Sequence, residues 1–211
     1  MTTEEEIMKP KFKRTTFDRI DFLKIAEATI HATAPYKTFA HFRIDHTRRV
    51  YHLAGTLANS YKEGTFDLRK ISVMCAIHDM YKYATDMEHG EKAADYLEKI
   101  FINEYFPEDH PEREEWMKVV EAVRLHSYKD CEVYVSDYEK NPYLEILRDA
   151  DMLDKIHFSH VRSLQRVFMK NLSLNEIAII VKKNIDEYHG ISKGYNNLKM
   201  TMIDELYKRL K

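Results

Sequence analysis

Apolar residues recur every three or four positions along almost the whole chain after residue 15, which is the spacing of amphipathic helices. Helix-end signals agree with this pattern: Pro142 suits a first helical turn, Ser173 and Glu176 form a capping-box sequence, and Gly190 suits a helix end. The expected helices cover 17–32, 44–61, 68–83, 88–106, 112–126, 142–168, 173–188 and 194–211. The sixth of these is expected to break in its middle.

The composition supports an all-α fold. The chain has 211 residues but only 5 glycines and 5 prolines, too few for the many tight turns of a β-sandwich or barrel. This length favours one domain with helical extensions over two separate cores. We expect a flexible arm over 1–15, a helical domain over 16–170, and C-terminal helices over 171–211 that pack on the same domain. Residues 127–141 fit no helix and predict a loop, with a short strand as the alternative.

The charge balance limits the classes of partner. The chain has 33 basic and 35 acidic residues and a formal net charge of -2, so it offers no overall attraction for duplex nucleic acid or an anionic membrane. No apolar run approaches the roughly 20 residues of a membrane span, and the charged N-terminus lacks a secretory signal. A cytoplasmic location is expected. Cys75 and Cys131 predict reduced thiols without an assigned role.

Metal-binding side chains lie on the apolar stripes of separate predicted helices. His46 shares the inward face of the second helix, His78 continues the stripe of the third, and Asp79 follows it immediately. On the sixth helix, Asp151 and Asp154 occupy positions where core residues are expected. A buried carboxylate without compensation costs several kcal/mol, so a cation or a hydrogen-bond network is required there. A metal ion satisfies all of these positions at once.

Two further histidines repeat this behaviour. His89 lies on the apolar face of the fourth helix, and His126 ends the stripe of the fifth. They are candidates for a second ion, and satisfied core histidines are the alternative. The remaining histidines share no pattern and are expected to be ordinary surface or partly buried residues: His31, His41, His52, His110, His157, His160 and His189.

The order of these residues and their flanks resembles the HD-domain metal-dependent phosphohydrolase superfamily over roughly residues 40–160. The resemblance rests on HxxRV from His46, AIHD from Ala76, HGE from His89, VRLHS from Val123 and RDADMLD from Arg148. It implies an all-α helical bundle around a buried metal site, with the C-terminal helices as an addition. Met80 and Tyr81 differ from the Ile-Gly common in the signalling phosphodiesterase branch, which weighs against a cyclic-dinucleotide substrate.

The resemblance also implies a set of metal ligands. Asp151 is chosen because the second aspartate of the RDADMLD segment matches the family ligand, whereas Asp149 points away from the apolar stripe. These ligand types suit Mn, Fe, Co, Ni, Zn or Mg. The implied ligands are His46, His78, Asp79 and Asp151 for a principal divalent ion, with His89 and His126 for a second ion in two-metal members.

A divalent ion with open positions predicts hydrolysis by an activated water, which needs no nucleophilic serine or cysteine. We expect the substrate to be a nucleotide or a similar small phosphorylated metabolite, cleaved at a phosphomonoester or phosphoanhydride bond. Asp79 or Asp154 would orient or deprotonate the water, and Lys82 would act with them in catalysis. Lys82, Arg49 and Arg124 are the candidate cations for the phosphate oxygens.

Two alternatives stay open. Proteins similar to myo-inositol oxygenase use the same six ligands to hold two irons, and a regulatory module would keep the metal without turnover. Substrate choice is expected from the loop over 127–141 and from Tyr188 and Tyr195, whose rings either stack on a base or pack in the core. A homo-oligomeric assembly is compatible with the sequence.

Overall fold

The computed structural model describes residues 17–84, 89–127 and 141–211, and these are helical with no strand among them. The predicted all-α fold is confirmed. The predicted N-terminal arm, Cys131 and most of the predicted loop lie outside the described residues. None of the described helices is long and apolar enough to cross a bilayer. The helices are α1 (Phe22–Thr33), α2 (Lys37–Ala58), α3 (Leu68–Ile77), α4 (His89–Leu97), α5 (Arg113–Leu125), α6 (Pro142–Asp154), α7 (Phe158–Val167), α8 (Leu174–Glu187) and α9 (Tyr195–Leu210).

Helix ends follow local capping chemistry. The Asn141 side chain accepts hydrogen bonds from the first turn of α6, and Ser173 and Glu176 form the predicted capping box of α8. The predicted break in the sixth helix is confirmed, because His157 caps a separate helix α7. Helix α4 continues as a π-helical turn over Glu98–Ile102.

Three predicted boundaries are wrong. Helix α1 begins at Phe22 rather than at residue 17, because the Asp21 side chain caps its start. Helix α2 begins at Lys37 rather than at residue 44, since its buried face includes Phe42 and extends further toward the N-terminus. Helix α3 ends at Ile77 rather than near residue 83, and residues 78–84 continue as turns. The two side chains that follow Ile77 are both buried.

One contiguous core joins the elements around that centre. Helix α2 packs against α3 and α6, and α5 packs against both α4 and α6. The C-terminal helices contribute to the same core through Ile177, Val181, Ile185 and Leu206, all of which are buried. The domain boundaries at 16–170 and 171–211 remain a prediction.

Helices α4 and α5 are in close contact at Gly90. A Cβ atom at this position would lie 2.8 Å from the carbonyl oxygen of Val123 and 3.2 Å from the His126 ring. The first of these atoms belongs to a helix backbone, which cannot move away independently. Glycine at this position therefore sets the distance between His89 and His126.

We predict opposite effects of alanine at two helical glycines. Gly90→Ala should lower the free energy of unfolding by about 1–3 kcal/mol, because the added methyl group overpacks the contact with α5. Gly55→Ala should raise it by roughly 0.5–1 kcal/mol, since Gly55 lies within α2 and nothing is within 4 Å of an added Cβ. Urea unfolding of both variants measures the difference. Equal effects would show that α4 and α5 are not in close contact at Gly90.

Candidate metal centre

Four of the predicted ligands meet at the centre of the bundle. His46 Nε2 on α2 lies 3.1 Å from an Asp151 oxygen on α6 and 3.3 Å from Asp79 Oδ2. His78 Nε2, at the end of α3, lies 3.4 Å from His46 Nε2 and 3.6 Å from Asp79 Oδ2. Each residue offers one ligand atom, and these four atoms all lie within 4.8 Å of one another.

The other two predicted ligands form a second group on the opposite oxygen of Asp79. Asp79 Oδ1 lies 3.0 Å from His89 Nε2 and 3.5 Å from His126 Nε2, and the two imidazole nitrogens are 3.3 Å apart. His89 begins α4 and His126 follows the last residue of α5. The two oxygens of one carboxylate therefore face two separate groups of nitrogen donors.

Backbone carbonyls orient two of these histidines. His78 Nδ1 donates to the Cys75 carbonyl at 2.8 Å, and His126 Nδ1 donates to the Val123 carbonyl at 2.7 Å. A carbonyl can only accept, so the proton lies on Nδ1 in both rings. The lone pair on Nε2 is then directed at Asp79, which is the tautomer a metal ligand needs.

His46 is oriented by a buried carboxylate. Its Nδ1 lies 2.8 Å from Asp154 Oδ2, and Asp154 also receives the Arg49 side chain at 2.5 Å and His160 Nδ1 at 2.6 Å. Asp154 is fully buried. Carboxylates that bind a ligand histidine in this way fix its ring and raise its basicity. We therefore assign Asp154 and Arg49 to holding His46, in place of the catalytic and substrate-binding roles predicted from the sequence.

The electrostatics of the cluster fit a divalent cation. Burial lowers the pKa of His78 to about 3. The ring is therefore neutral at pH 7, and its Nε2 atom keeps the lone pair that a metal ligand needs. Burial opposes protonation of His46, but hydrogen bonds to Asp151, Asp154 and Asp79 outweigh it and raise its pKa to about 10. Burial raises the pKa of Asp79, but the Arg43 charge and the surrounding histidines together outweigh it, so this pKa lies well below its usual value. Without an ion, His46 carries a proton that compensates the ionised carboxylates; a divalent ion would supply that positive charge in its place and free the lone pair of His46.

A cavity of about 890 Å³ opens onto both ligand groups. Its lining includes the side chains of Arg43, Lys82, Arg148 and Lys155, which carry positive charge. Arg43 also forms an ion pair with Asp79. The site therefore joins buried metal-binding donors to a solvent-accessible space lined by cations.

Of the three cations predicted to bind substrate, the structure brings only Lys82 to the cavity. Arg49 is turned toward Asp154, and Arg124 forms ion pairs with Asp95 at 2.8 Å and with Glu98 at 3.1 Å. Neither arginine lines the cavity.

Sequence reasoning missed two residues of the site. Arg43 precedes His46 by three positions, so helical spacing alone could have placed it on the same face. His160 was grouped with the ordinary histidines, yet it is buried, bonds to Asp154 and lines the cavity. It follows a helix break, so no periodic signal relates it to the ligands. Of the two tyrosines proposed for substrate choice, Tyr188 lines the cavity and Tyr195 is buried in the core.

Comparison with known families identifies the family to which this chain belongs. The family model described as HD domain matches residues 43–156, which is more than half of the chain. The chain belongs to the HD-domain family. This membership confirms the resemblance seen in the sequence and places the protein in a superfamily of metal-dependent hydrolases that bind divalent ions. The HD-domain chain has no significant match among curated proteins or among solved structures.

We predict that Asp154→Asn weakens Mn²⁺ binding by the HD-domain protein about 10–100-fold. The amide keeps the shape of the side chain but loses the charge that holds the His46 and Arg49 side chains. Isothermal titration with Mn²⁺ measures the affinity, and circular dichroism checks folding.

Asp95→Asn is the matched control, because Asp95 is a partly exposed carboxylate outside the cavity that pairs with Arg124. It should bind Mn²⁺ as the unchanged protein does. Equal affinity of the two variants would contradict a role of Asp154 in orienting His46.

Proposed function

We propose that this protein is a metal-dependent phosphohydrolase that cleaves a phosphomonoester or phosphoanhydride bond of a small phosphorylated metabolite such as a nucleotide. One observation carries the proposal: the two groups of donors that share Asp79 border a cavity that also presents Arg43 and Lys82. Metal ligands beside cations suit a substrate whose reacting group is a phosphate.

The candidate ligands would have two roles in hydrolysis, which are to hold the metal ions and to orient the attacking water. A divalent ion, when bound, lowers the pKa of water toward neutrality and neutralises charge on a phosphoryl oxygen. His46, His78, Asp79 and Asp151 would hold the principal ion, and Asp79 with His89 and His126 would hold a second. The same Asp79 carboxylate, ionised in its buried position, is a candidate to orient the attacking water.

The cations bind and orient the phosphate. Arg43 lines the cavity and pairs with Asp79, so its guanidinium charge lies beside the ligand groups where a phosphate would bind. Lys82 Nζ lies 3.5 Å from His89 Nδ1, which places its charge beside the second group of donors. Charge-assisted hydrogen bonds from both side chains would draw the phosphate toward the ligand groups.

The size of the cavity favours a small substrate. Its volume of about 890 Å³ lies within the range of small-molecule sites, which is roughly 300–1,000 Å³. The formal net charge of -2 also favours a small substrate over a nucleic acid, because the protein as a whole does not attract polyanions. The cytoplasmic location and the homo-oligomeric assembly remain predictions.

We predict that the Mn²⁺-loaded protein releases phosphate or pyrophosphate from at least one small phosphorylated metabolite in a screen that includes nucleotides. EDTA should abolish the release. His78→Ala and Asp79→Ala should each lower kcat by more than about 100-fold, because each removes a ligand from the centre. Arg43→Ala should raise KM about 10-fold, whereas Arg124→Ala, its control outside the cavity, should leave KM unchanged.

Three results would contradict the proposal. Oxygen consumption by an iron-loaded protein without phosphate release would instead identify a diiron oxygenase. Loss of stability on chelation, with no turnover of any substrate, would identify a metal-stabilised regulatory module. Full activity of His78→Ala would exclude the centre itself. His89→Ala loses activity only if the second ion takes part in the reaction.

A further inference from the structure

The segment between α8 and α9 forms one wall of the cavity. Tyr188, His189 and Ile191 line the same space as the metal-binding groups. These residues lie beyond the part of the chain that matches the HD-domain family model, which ends at residue 156. The wall is therefore an addition to the bundle that carries the metal centre.

A buried carboxylate on α6 anchors this segment. Asp149 is fully buried and accepts hydrogen bonds from the Tyr188 hydroxyl at 2.7 Å, the Ile191 amide at 2.9 Å and the Ser192 amide at 2.6 Å. The Ser192 hydroxyl donates to the same carboxylate at 2.5 Å. Hydrogen bonds to a charged acceptor are stronger than neutral ones, so these four contacts fix the segment in one position. Asp151, two positions further along α6, faces the metal-binding group.

Close packing holds the backbone of the segment as well. A Cβ atom at Gly190 would overlap the ring of Tyr195, which is fully buried at the start of α9. The Tyr188 and Tyr195 rings lie 5.7 Å apart in an edge-on arrangement. The segment is therefore held by this packing and by Asp149, although His189 and Ile191 are themselves exposed.

The lining of the cavity also includes apolar side chains. Phe42, Leu164 and Phe168 line it, and the rings of Phe42 and Phe168 lie 5.3 Å apart, edge to face. Phe168 remains 49% exposed, which is unusual for a large apolar side chain beside a cavity. Aromatic side chains of this kind bind planar rings by stacking or edge contacts. The lining of the cavity therefore combines cationic side chains with apolar ones, among them Phe42, Phe168 and Ile191.

We propose that residues 188–192, anchored by Asp149, form a specificity wall that selects phosphate esters whose leaving group carries a planar ring. This inference rests on the proposed phosphohydrolase function, because it assigns the phosphate to the metal-binding groups and the cations beside them. The ring would pack against apolar residues of the lining, which include Ile191, Phe42 and Phe168. Asp149 is a positioning residue, since it acts on the substrate only through the wall.

Binding of non-hydrolysable phosphonates tests the wall without any need for turnover. Isothermal titration of the Mn²⁺-loaded protein should show that benzylphosphonate binds at least about 10-fold more tightly than methylphosphonate, because only the former carries a ring that can pack against the apolar lining residues. Tyr188→Phe removes one anchor and Asp149→Asn weakens all four. Both should weaken benzylphosphonate binding by about 10-fold and leave methylphosphonate binding unchanged.

Tyr195→Phe is the matched control. The Tyr195 hydroxyl is buried and has no hydrogen-bond partner among the described residues, and Tyr195 does not line the cavity. The same loss of a hydroxyl should therefore leave the preference for benzylphosphonate intact. With p-nitrophenyl phosphate as the substrate, Tyr188→Phe should raise KM about 10-fold and leave kcat unchanged. A general loss of stability would not raise KM alone.

The outcomes separate this inference from the proposed function. A ring preference that depends on Tyr188, in a protein with no hydrolytic activity, would support the wall and overturn the phosphohydrolase. Hydrolysis without a ring preference would support the phosphohydrolase and overturn the wall. If Asp149→Asn does not fold, Tyr188→Phe decides: equal behaviour of Tyr188→Phe and Tyr195→Phe would overturn the inference.

Discussion

The buried carboxylate of Asp79 is the constraint on which the rest of the site depends. Its two oxygens face two groups of nitrogen donors, so one side chain fixes the distance between both groups. An ionised carboxylate at 4% exposure requires compensating charge, and Arg43, the surrounding histidines and a divalent ion can supply it. Asp79 directly follows His78, the residue that caps the end of α3, and both side chains are buried.

The helices around Asp79 each hold a donor in place by a buried acceptor. Carbonyl groups at the ends of α3 and α5 orient His78 and His126, and Asp154 on α6 orients His46. Three aspartates within two turns of helix α6 contact different parts of the site. Asp154 orients His46, Asp151 faces the metal-binding group, and Asp149 binds the wall segment. Packing of α2, α5 and α6 against one another therefore positions the candidate metal ligands and the cavity beside them together.

Periodicity in the sequence was sufficient for the fold and for the positions of the six candidate ligands, because a stripe tells which face of a helix points inward. Periodicity does not show how far a side chain extends or which groups it contacts. Arg49 and Arg124 were predicted to bind substrate, but one pairs with a buried carboxylate and the other with acidic groups outside the cavity. The anchor at Asp149 joins positions 39 to 43 residues apart, and such a contact leaves no local pattern.

The central claim is that two metal ions share Asp79. Anomalous X-ray diffraction from crystals grown with Mn²⁺ tests it most directly, because each ion gives its own peak. The account predicts two peaks, one among His46, His78 and Asp151 and one between His89 and His126, with a different oxygen of Asp79 beside each. A single peak in the first group would contradict the shared carboxylate, and peaks outside both groups would contradict the metal centre.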